Sequence, residues 1–465
     1  RRMLMEPKAW NESRRALVLW GALQVDLMRR SPDEAERVQA EDLLGYMLDE
    51  LRPKLEKVGR LDLLDSVGDK ATSYFASLDP RDLTDTTLAR QAQTLTKIGQ
   101  VRLTQGRFPE ALASFQSAYK RSSALAERHS TGERLFDRGQ AEYWVGYVYW
   151  QSRDLDRAES WLTRYRDTCH AVYAIDPTKA EWEHEVAYGD HNLAVLELER
   201  GQLQQAADGL KRARSTLELV LSHAPDDAQL MFEVADEISW QGNVEEQLGN
   251  LDQAEGLLAA KAESLRRISA MQPADPKWMR ELSSSELLQS ELLRIRGKYA
   301  QAEALANEAV DRMKLLTVHD PDNREWNQAY IRALVLRAAA RVGAGKAAAA
   351  GADLALAQPL LDASAKVEGA DRFIRRDALD ALALRIQLAL RRGDQDAARL
   401  AANALQALYK KKIALDSADE IGRYGLSELM LGMVAAHSGK PSDADAHYAD
   451  ARRALAAPAR SSRFW

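Results

Sequence analysis

Three stretches of this 465-residue chain bring together side chains that do chemistry in other settings. "GAGKA", Gly343 to Ala347, has the glycine–lysine core of a loop whose backbone N–H groups and lysine cradle phosphate. The glycine such a loop needs five residues earlier is Ala340, and the hydroxyl residue after the lysine is Ala347. "HEVAYGDH" places His184 and His191 around Glu185, but a zinc-binding helix needs its second histidine four residues on, and Tyr188 holds that position. Cys169 adjoins His170, yet consecutive residues of a helix point in different directions, so the pair is not a nucleophile and its base. Catalytic grammar is absent from all three, and a chain that is not an enzyme and carries no cofactor or metal is expected.

The totals narrow the alternatives. Lysine and arginine number 64 against 70 acidic residues, net charge -6, so nucleic acid is not an expected partner. One cysteine excludes an internal disulfide framework and suits a reducing, cytoplasmic setting. No uncharged run approaches the roughly 20 apolar residues of a membrane span. The opening "RRMLMEPKAWNESRR" has neither an initiating Met nor a signal-like apolar core, and reads as the continuation of an upstream domain.

The elements that must position any binding residues announce themselves by repetition. A turn phrase recurs: "QGRFPEALASF" from Gln105, "RGQLQQAADGL" from Arg200, "LGNLDQAEGLL" from Leu248 and "RGKYAQAEALANEA" from Arg296. Its glycines are Gly106, Gly201, Gly249, Gly297, Gly345, Gly393 and Gly439, with Arg153 the one exception, at steps of 46 to 48 residues. Five residues after each stands an alanine: Ala111, Ala158, Ala206, Ala254, Ala302, Ala350, Ala398 and Ala444. Pro177, Pro225, Pro273 and Pro321 keep the same 48-residue beat, and proline stops a helix before it. Between the marks the apolar spacing is helical, as in Trp182, Val186, Leu193 and Leu196, so each unit is two antiparallel helices of about 20 residues.

The combination resembles the tetratricopeptide pattern: a small residue in the first helix (Gly99, Gly146, Ala194, Gly242, Ser290, Ala338, Gly432), the glycine turn with its following alanine, and a large then a small residue in the second helix (Phe115 and Ala118, Tyr448 and Ala451). That motif repeats at 34 residues. The longer period here resembles the long-period arrays of bacterial signalling proteins. The resemblance implies an all-α, right-handed α-solenoid of about eight repeats plus a degenerate leading one. It also implies a non-catalytic protein-interaction module whose concave groove takes a peptide or a partner, including an upstream effector domain of kinase, TIR or caspase-like type. The expected division is a joining helix within 1–42, a degenerate repeat at 43–90, the array at 91–458 and a tail at 459–465. Within the first of these, residues 11–30 form an amphipathic helix; within the second, the turn phrase "VGRLDLLDSVG", Val58 to Gly68, stands 47 residues before the first clear turn and marks a diverged unit.

In such an array the first helix of each unit lines the groove. Unit two offers Gln140, Tyr143, Trp144, Tyr147, Trp150 and Gln151. Unit three offers Tyr188, His191, Asn192, Val195 and Glu199; unit four offers Asp236, Ser239, Trp240, Asn243 and Gln247. Aromatics with amides and a histidine suit peptide recognition, since rigid rings bury much area at small entropic cost and amides bond an extended backbone. Trp144 and Trp240 stand equally well as wedges between helices. The equivalent positions of units six to eight (Val335, Leu336, Ala339, Ala383, Leu384, Leu390, Leu429, Met430, Met433) are apolar, which predicts a patch covered by a second partner or by self-association. An oligomerisation scaffold built on that patch and the helix at 11–30 is the rival reading.

Overall fold

Each turn glycine in the sequence corresponds to a backbone requirement in three dimensions. The computed structural model describes residues 23–24, 64–76, 78, 81, 83–364, 372–410 and 418–456. In it Gly106, Gly201, Gly249, Gly297, Gly345, Gly393 and Gly439 all hold φ between 69° and 83°, the left-handed region where a Cβ is penalised. Arg153, the sequence exception, takes the same conformation at φ 63°, alone among the described non-glycine residues. At all eight turns the next N–H reaches back five residues to close the helix end, as from Arg107 to the Arg102 carbonyl at 2.9 Å and from Lys346 to Arg341 at 2.8 Å.

Seventeen helices are present among the described residues, and no strand. By its contacts the chain divides into two compact units, Arg1–Leu196 and Glu197–Trp465. The first holds α1 (Asp65–Ala76), α2 (Asp85–Thr104), α3 (Phe108–Arg128), α4 (Gly132–Gln151), α5 (Leu155–Ile175) and most of α6 (Ala180–Glu199). The second holds α7 (Leu203–His223), α8 (Ala228–Leu248), α9 (Leu251–Met271), α10 (Pro276–Ile295), α11 (Tyr299–His319) and α12 (Arg324–Gly343). It continues through α13 (Ala347–Ser364), α14 (Arg372–Arg392), α15 (Gln395–Lys410), α16 (Ala418–His437) and α17 (Pro441–Ala456). Even-numbered helices from α2 are the first helices of successive repeats. Many of them start on a side-chain cap: Thr84, Thr131, Asp227, Asp275 and Asn323 each accept a backbone N–H of the first turn. Pro177, Pro225, Pro273 and Pro321 fall in the connections between helices, as their spacing predicts.

Packing follows the chain. Within each unit the helices of a pair lie against one another, α2 with α3, α4 with α5, α8 with α9, α10 with α11, α12 with α13, α14 with α15 and α16 with α17, and first helices of successive repeats also meet, α2 with α4, α10 with α12, α12 with α14 and α14 with α16. All eight turn-phased alanines are buried, none more than 3% exposed. A small first-helix residue opposite a large second-helix one sets the close approach: a Cβ added to Gly99 would lie 2.6 Å from the Phe115 ring, and one at Gly432 would lie 2.5 Å from Tyr448. No described helix is long and apolar enough to cross a membrane.

One expectation needs qualifying. Of the apolar positions of units six to eight, Val335, Leu336, Leu384 and Met430 are buried, and Ala339, Ala383, Leu390, Leu429 and Met433 are half-buried. Val335, Leu336 and Leu384 sit in one core cluster with Ala339 against it, and Met430 sits in another that Ala383, Leu390, Leu429 and Met433 flank. The reason is that α12 and α14 pack on first helices at both sides as well as on second helices, so each buries more than one stripe. Asp65 to Gly68, the end of the turn phrase at Val58 to Gly68, lie in α1. Residues 58–63, the helix expected at 11–30 except Leu23 and Gln24, the first part of the leading repeat and the tail at 459–465 lie outside the described residues.

Candidate functional site

The first-unit candidates are built on α4. Its residues 140, 143, 144, 147, 150 recur at steps of three and four, which puts them on one face. Tyr143, Trp144, Tyr147 and Trp150 are half-buried and form a continuous ring ladder. Tyr143 meets Tyr147 at 5.8 Å between centroids, Trp144 meets Tyr147 edge-on at 5.9 Å, and Tyr147 meets Trp150 at 6.4 Å. Trp144 in addition stacks on Phe115 of α3 at 5.3 Å, so it joins wedge and ladder in one residue. Burial pushes the Tyr143 hydroxyl up to about 12, which keeps it a neutral donor.

Beneath the ladder lies a polar layer. Glu185 of α6 accepts hydrogen bonds from the Tyr165 hydroxyl, at 2.5 Å, and from the Gln140 amide. Burial raises its carboxyl above the ordinary range, and those two donors oppose the shift. Glu142 is held the same way, accepting from Thr168 at 2.7 Å with Arg138 at 3.3 Å, again with desolvation the leading influence. Such bonds fix the rotation of α4 relative to its neighbours and thereby the direction in which the ladder faces.

On α6, Tyr188 is exposed and lies 4.6 Å from His184, while His191 and Asn192 are half-buried. The Asn192 amide donates to the Tyr188 carbonyl at 2.7 Å, within its own helix. Val195, expected on the same surface, is only 5% exposed and belongs to the packed interior, as an apolar side chain favours. It offers a ligand no surface.

The second-unit candidates, Ser239, Trp240 and Asn243, line a cleft of about 180 Å³ with Asp236, Gly242 and Glu246 of α8, Leu258 and Lys261 of α9, and Leu288 of α10. Ser239 and Trp240 are half-buried, and Asn243, 9% exposed, accepts from Gln247 at 2.8 Å. Lys261 donates to Asp236 at 3.1 Å from a position that is itself only 7% exposed. Sequence reasoning missed Glu246, Leu258, Lys261 and Leu288. A lysine on a second helix gives no local sign that it will be buried, because its depth depends on which first helix crosses it.

A charge network along α10, α12, α14 and α16 was also missed. Arg332 pairs with Glu291 at 3.1 Å, Asp377 at 3.2 Å and Asp380 at 2.7 Å, and Arg423 meets Asp380 at 2.9 Å. Arg332 and Asp380 stand one 48-residue period apart with opposite charge, a signal that the repeat register contained.

The chemical decoys resolve as structure. Lys346 of "GAGKA" donates to Glu303 at 2.7 Å beside a left-handed glycine turn. Cys169 is buried and burial pushes its thiol up, the reverse of what a thiolate nucleophile needs. No cluster of three or more metal-ligating side chains occurs among the described residues.

No family model matches the chain. No curated protein matches it either. Among solved structures it is similar to the apo form of RapI, with TM-score 0.54 and 10% identity over 89% of this chain and 97% of that one. It is less similar to the STAND protein PH0952 of Pyrococcus horikoshii, which has a tetratricopeptide repeat sensor: TM-score 0.47, 14% identity, 84% of this chain and 52% of that one. A Rap protein complexed with competence and sporulation factor gives TM-score 0.42 and 14% identity over 86% and 98%. At such identities the likeness concerns fold alone, and the fold is an all-α solenoid of tetratricopeptide type.

Proposed function

We propose that the chain is a non-catalytic interaction module that holds an extended peptide, or an extended segment of a partner protein, along its first helices. In this reading residues 91–458 form the binding array, 43–90 a leading repeat, and 1–42 a joint to a further domain of a larger bacterial signalling protein. In the first unit the contact residues are Tyr143, Trp144, Tyr147 and Trp150 with Tyr188, His191 and Asn192; in the second unit, taken by itself, Ser239, Trp240 and Asn243 line a contact surface of their own.

The observation that supports this most is the α4 ring ladder. Four aromatic side chains at helical spacing remain half-accessible although apolar burial favours enclosing them, and a polar layer of glutamates holds their helix in one orientation. Aromatic anchors of this kind carry most of the energy at peptide interfaces, about 2 kcal/mol or more for each ring truncated at a hot spot. Selection of peptides by the full chain from a random 12-residue display library tests the reading. Selected peptides should lose at least tenfold in affinity, by fluorescence anisotropy, on a Tyr143→Ala/Tyr147→Ala/Trp150→Ala chain whose helicity is unchanged. Failure to select any peptide, or equal affinity for both chains, would reject it.

A further inference from the structure

The ring ladder on α4 ends in hydrogen-bonding tips that no described residue uses. Tyr143 and Tyr147 carry phenolic hydroxyls, and Trp144 and Trp150 carry indole N–H groups. None of the four tips is hydrogen-bonded to a described residue, and none is a buried atom. Rings of the same kind set into the packing do find acceptors: the Tyr165 hydroxyl donates to Glu185 at 2.5 Å, Tyr173 to Glu183 at 3.1 Å, and the Trp278 indole to Gln272 at 2.7 Å. An indole N–H only donates, and burial pushes the Tyr143 hydroxyl up to about 12 and so keeps its proton in place. The ladder therefore presents apolar ring faces edged by a row of donors.

Three kinds of backbone can be set against that row. An amphipathic helix covers the rings but uses its carbonyls internally, so it strips water from the four donors and returns no acceptor. An ordinary extended segment brings carbonyls, but also N–H groups that meet donors, with only the two phenolic oxygens to accept them. A proline-rich segment keeps every carbonyl, lacks an N–H at each proline, has no internal hydrogen bonds to break, and lays pyrrolidine rings on aromatic faces. Its length fits as well. Centroid steps of 5.8 Å from Tyr143 to Tyr147 and 6.4 Å from Tyr147 to Trp150 bound the ladder at about 12 Å, which is about four residues of polyproline II helix at about 3.1 Å each. We propose that the α4 ladder binds a proline-rich segment in the polyproline II conformation, its prolines against the rings and its carbonyls on the hydroxyl and indole donors. The inference rests on the peptide-binding reading above, lies wholly within the first unit, and specifies the ligand there.

The 12-residue display selection supplies the probes, read by fluorescence anisotropy on the full chain. Selected peptides that lose affinity on the Tyr143→Ala/Tyr147→Ala/Trp150→Ala chain should share at least two prolines, about three residues apart as one turn of the helix requires. Replacing those prolines by alanine should weaken binding at least tenfold. A Tyr143→Phe/Tyr147→Phe chain keeps both rings and loses both hydroxyl donors, and it should bind the same peptides at least fivefold more weakly. Tyr448→Phe, altered in α17 of the second unit, should bind them as the unmodified chain does. Ladder-dependent peptides without shared prolines, including any with apolar residues at helical spacing, would overturn this inference and leave peptide binding standing. So would equal affinity for the Tyr143→Phe/Tyr147→Phe and unmodified chains. A library from which nothing is selected would overturn both.

Discussion

Arg153 is the residue whose conformation its own side chain opposes. It holds φ 63° at a turn where seven other repeats place glycine, and for an L-residue with a Cβ that region costs about 1–2 kcal/mol. The turn nevertheless keeps its geometry, with the Asp154 N–H bonded to the Tyr149 carbonyl at 2.9 Å, because helices α4 and α5 are fixed by their packing and the link between them has no other route. Arg153→Gly should therefore stabilise the chain by about 0.5–1 kcal/mol, the relief of strain exceeding the added freedom of the unfolded glycine. Its thermal midpoint should rise by about 1–2 °C. An unchanged or lowered midpoint in circular dichroism melts would show that Arg153 is held by contacts that outweigh its backbone strain. The eight turns were legible in the sequence because a left-handed residue is a local demand that one residue type meets best. Nothing comparably local marks Val195, whose spacing matched Tyr188 and His191 while its burial was decided by neighbours.

At the scale of helices, the legible part is direction and the illegible part is depth. Periodicity placed Tyr143, Tyr147 and Trp150 on one face of α4, and the structure gathers them there. The same periodicity gave Val335, Leu384 and Met430 an outward face, whereas first helices packing on first helices enclose them. The small-against-large pairing between helices is the device that sets such spacing, and Phe115 is its clearest instance. The ring is fully buried, leaves no room for a Cβ at Gly99 of α2, and stacks on Trp144 of α4, so one side chain of α3 ties three helices together. Phe115→Ala should cost about 3–5 kcal/mol, since the cavity adjoins two helices that cannot collapse into it independently. Urea denaturation checks this: the midpoint of the alanine variant should fall well below that of Phe115→Leu, which keeps most of the volume. Equal midpoints would mean that the ring serves the ladder above it and not the helix spacing.

For the whole molecule, the consequential feature is that stability is assembled from neighbours. In a solenoid each repeat contacts only the next, so a local loss remains local unless the array melts as one. The buried network of the second unit provides the means to test this. Arg332 is almost wholly enclosed, and the carboxylates of Glu291, Asp377 and Asp380 around it hold its guanidinium charged despite desolvation. Asp377 is fully buried, one of its oxygens has no hydrogen-bond partner, and burial raises its carboxyl. Removing the cation alone leaves Asp377 with Arg376 at 3.4 Å and Asp380 with Arg423 at 2.9 Å, so the loss falls toward the lower end of the about 3–5 kcal/mol that breaking a buried pair costs, whereas removing both partners is far cheaper. Arg332→Met should accordingly lower amide hydrogen-exchange protection in α10, α12, α14 and α16, and Arg332→Met/Asp377→Leu should restore part of it. Amides of α2 to α5, which belong to the other compact unit, should exchange at the rates of the unmodified chain. Protection lost equally in α2 to α5 and in α10 to α16 would establish a single cooperative body. Protection retained throughout would mean that the charges are solvated well enough to stand without Arg332, and that the four first helices are held by their apolar contacts alone.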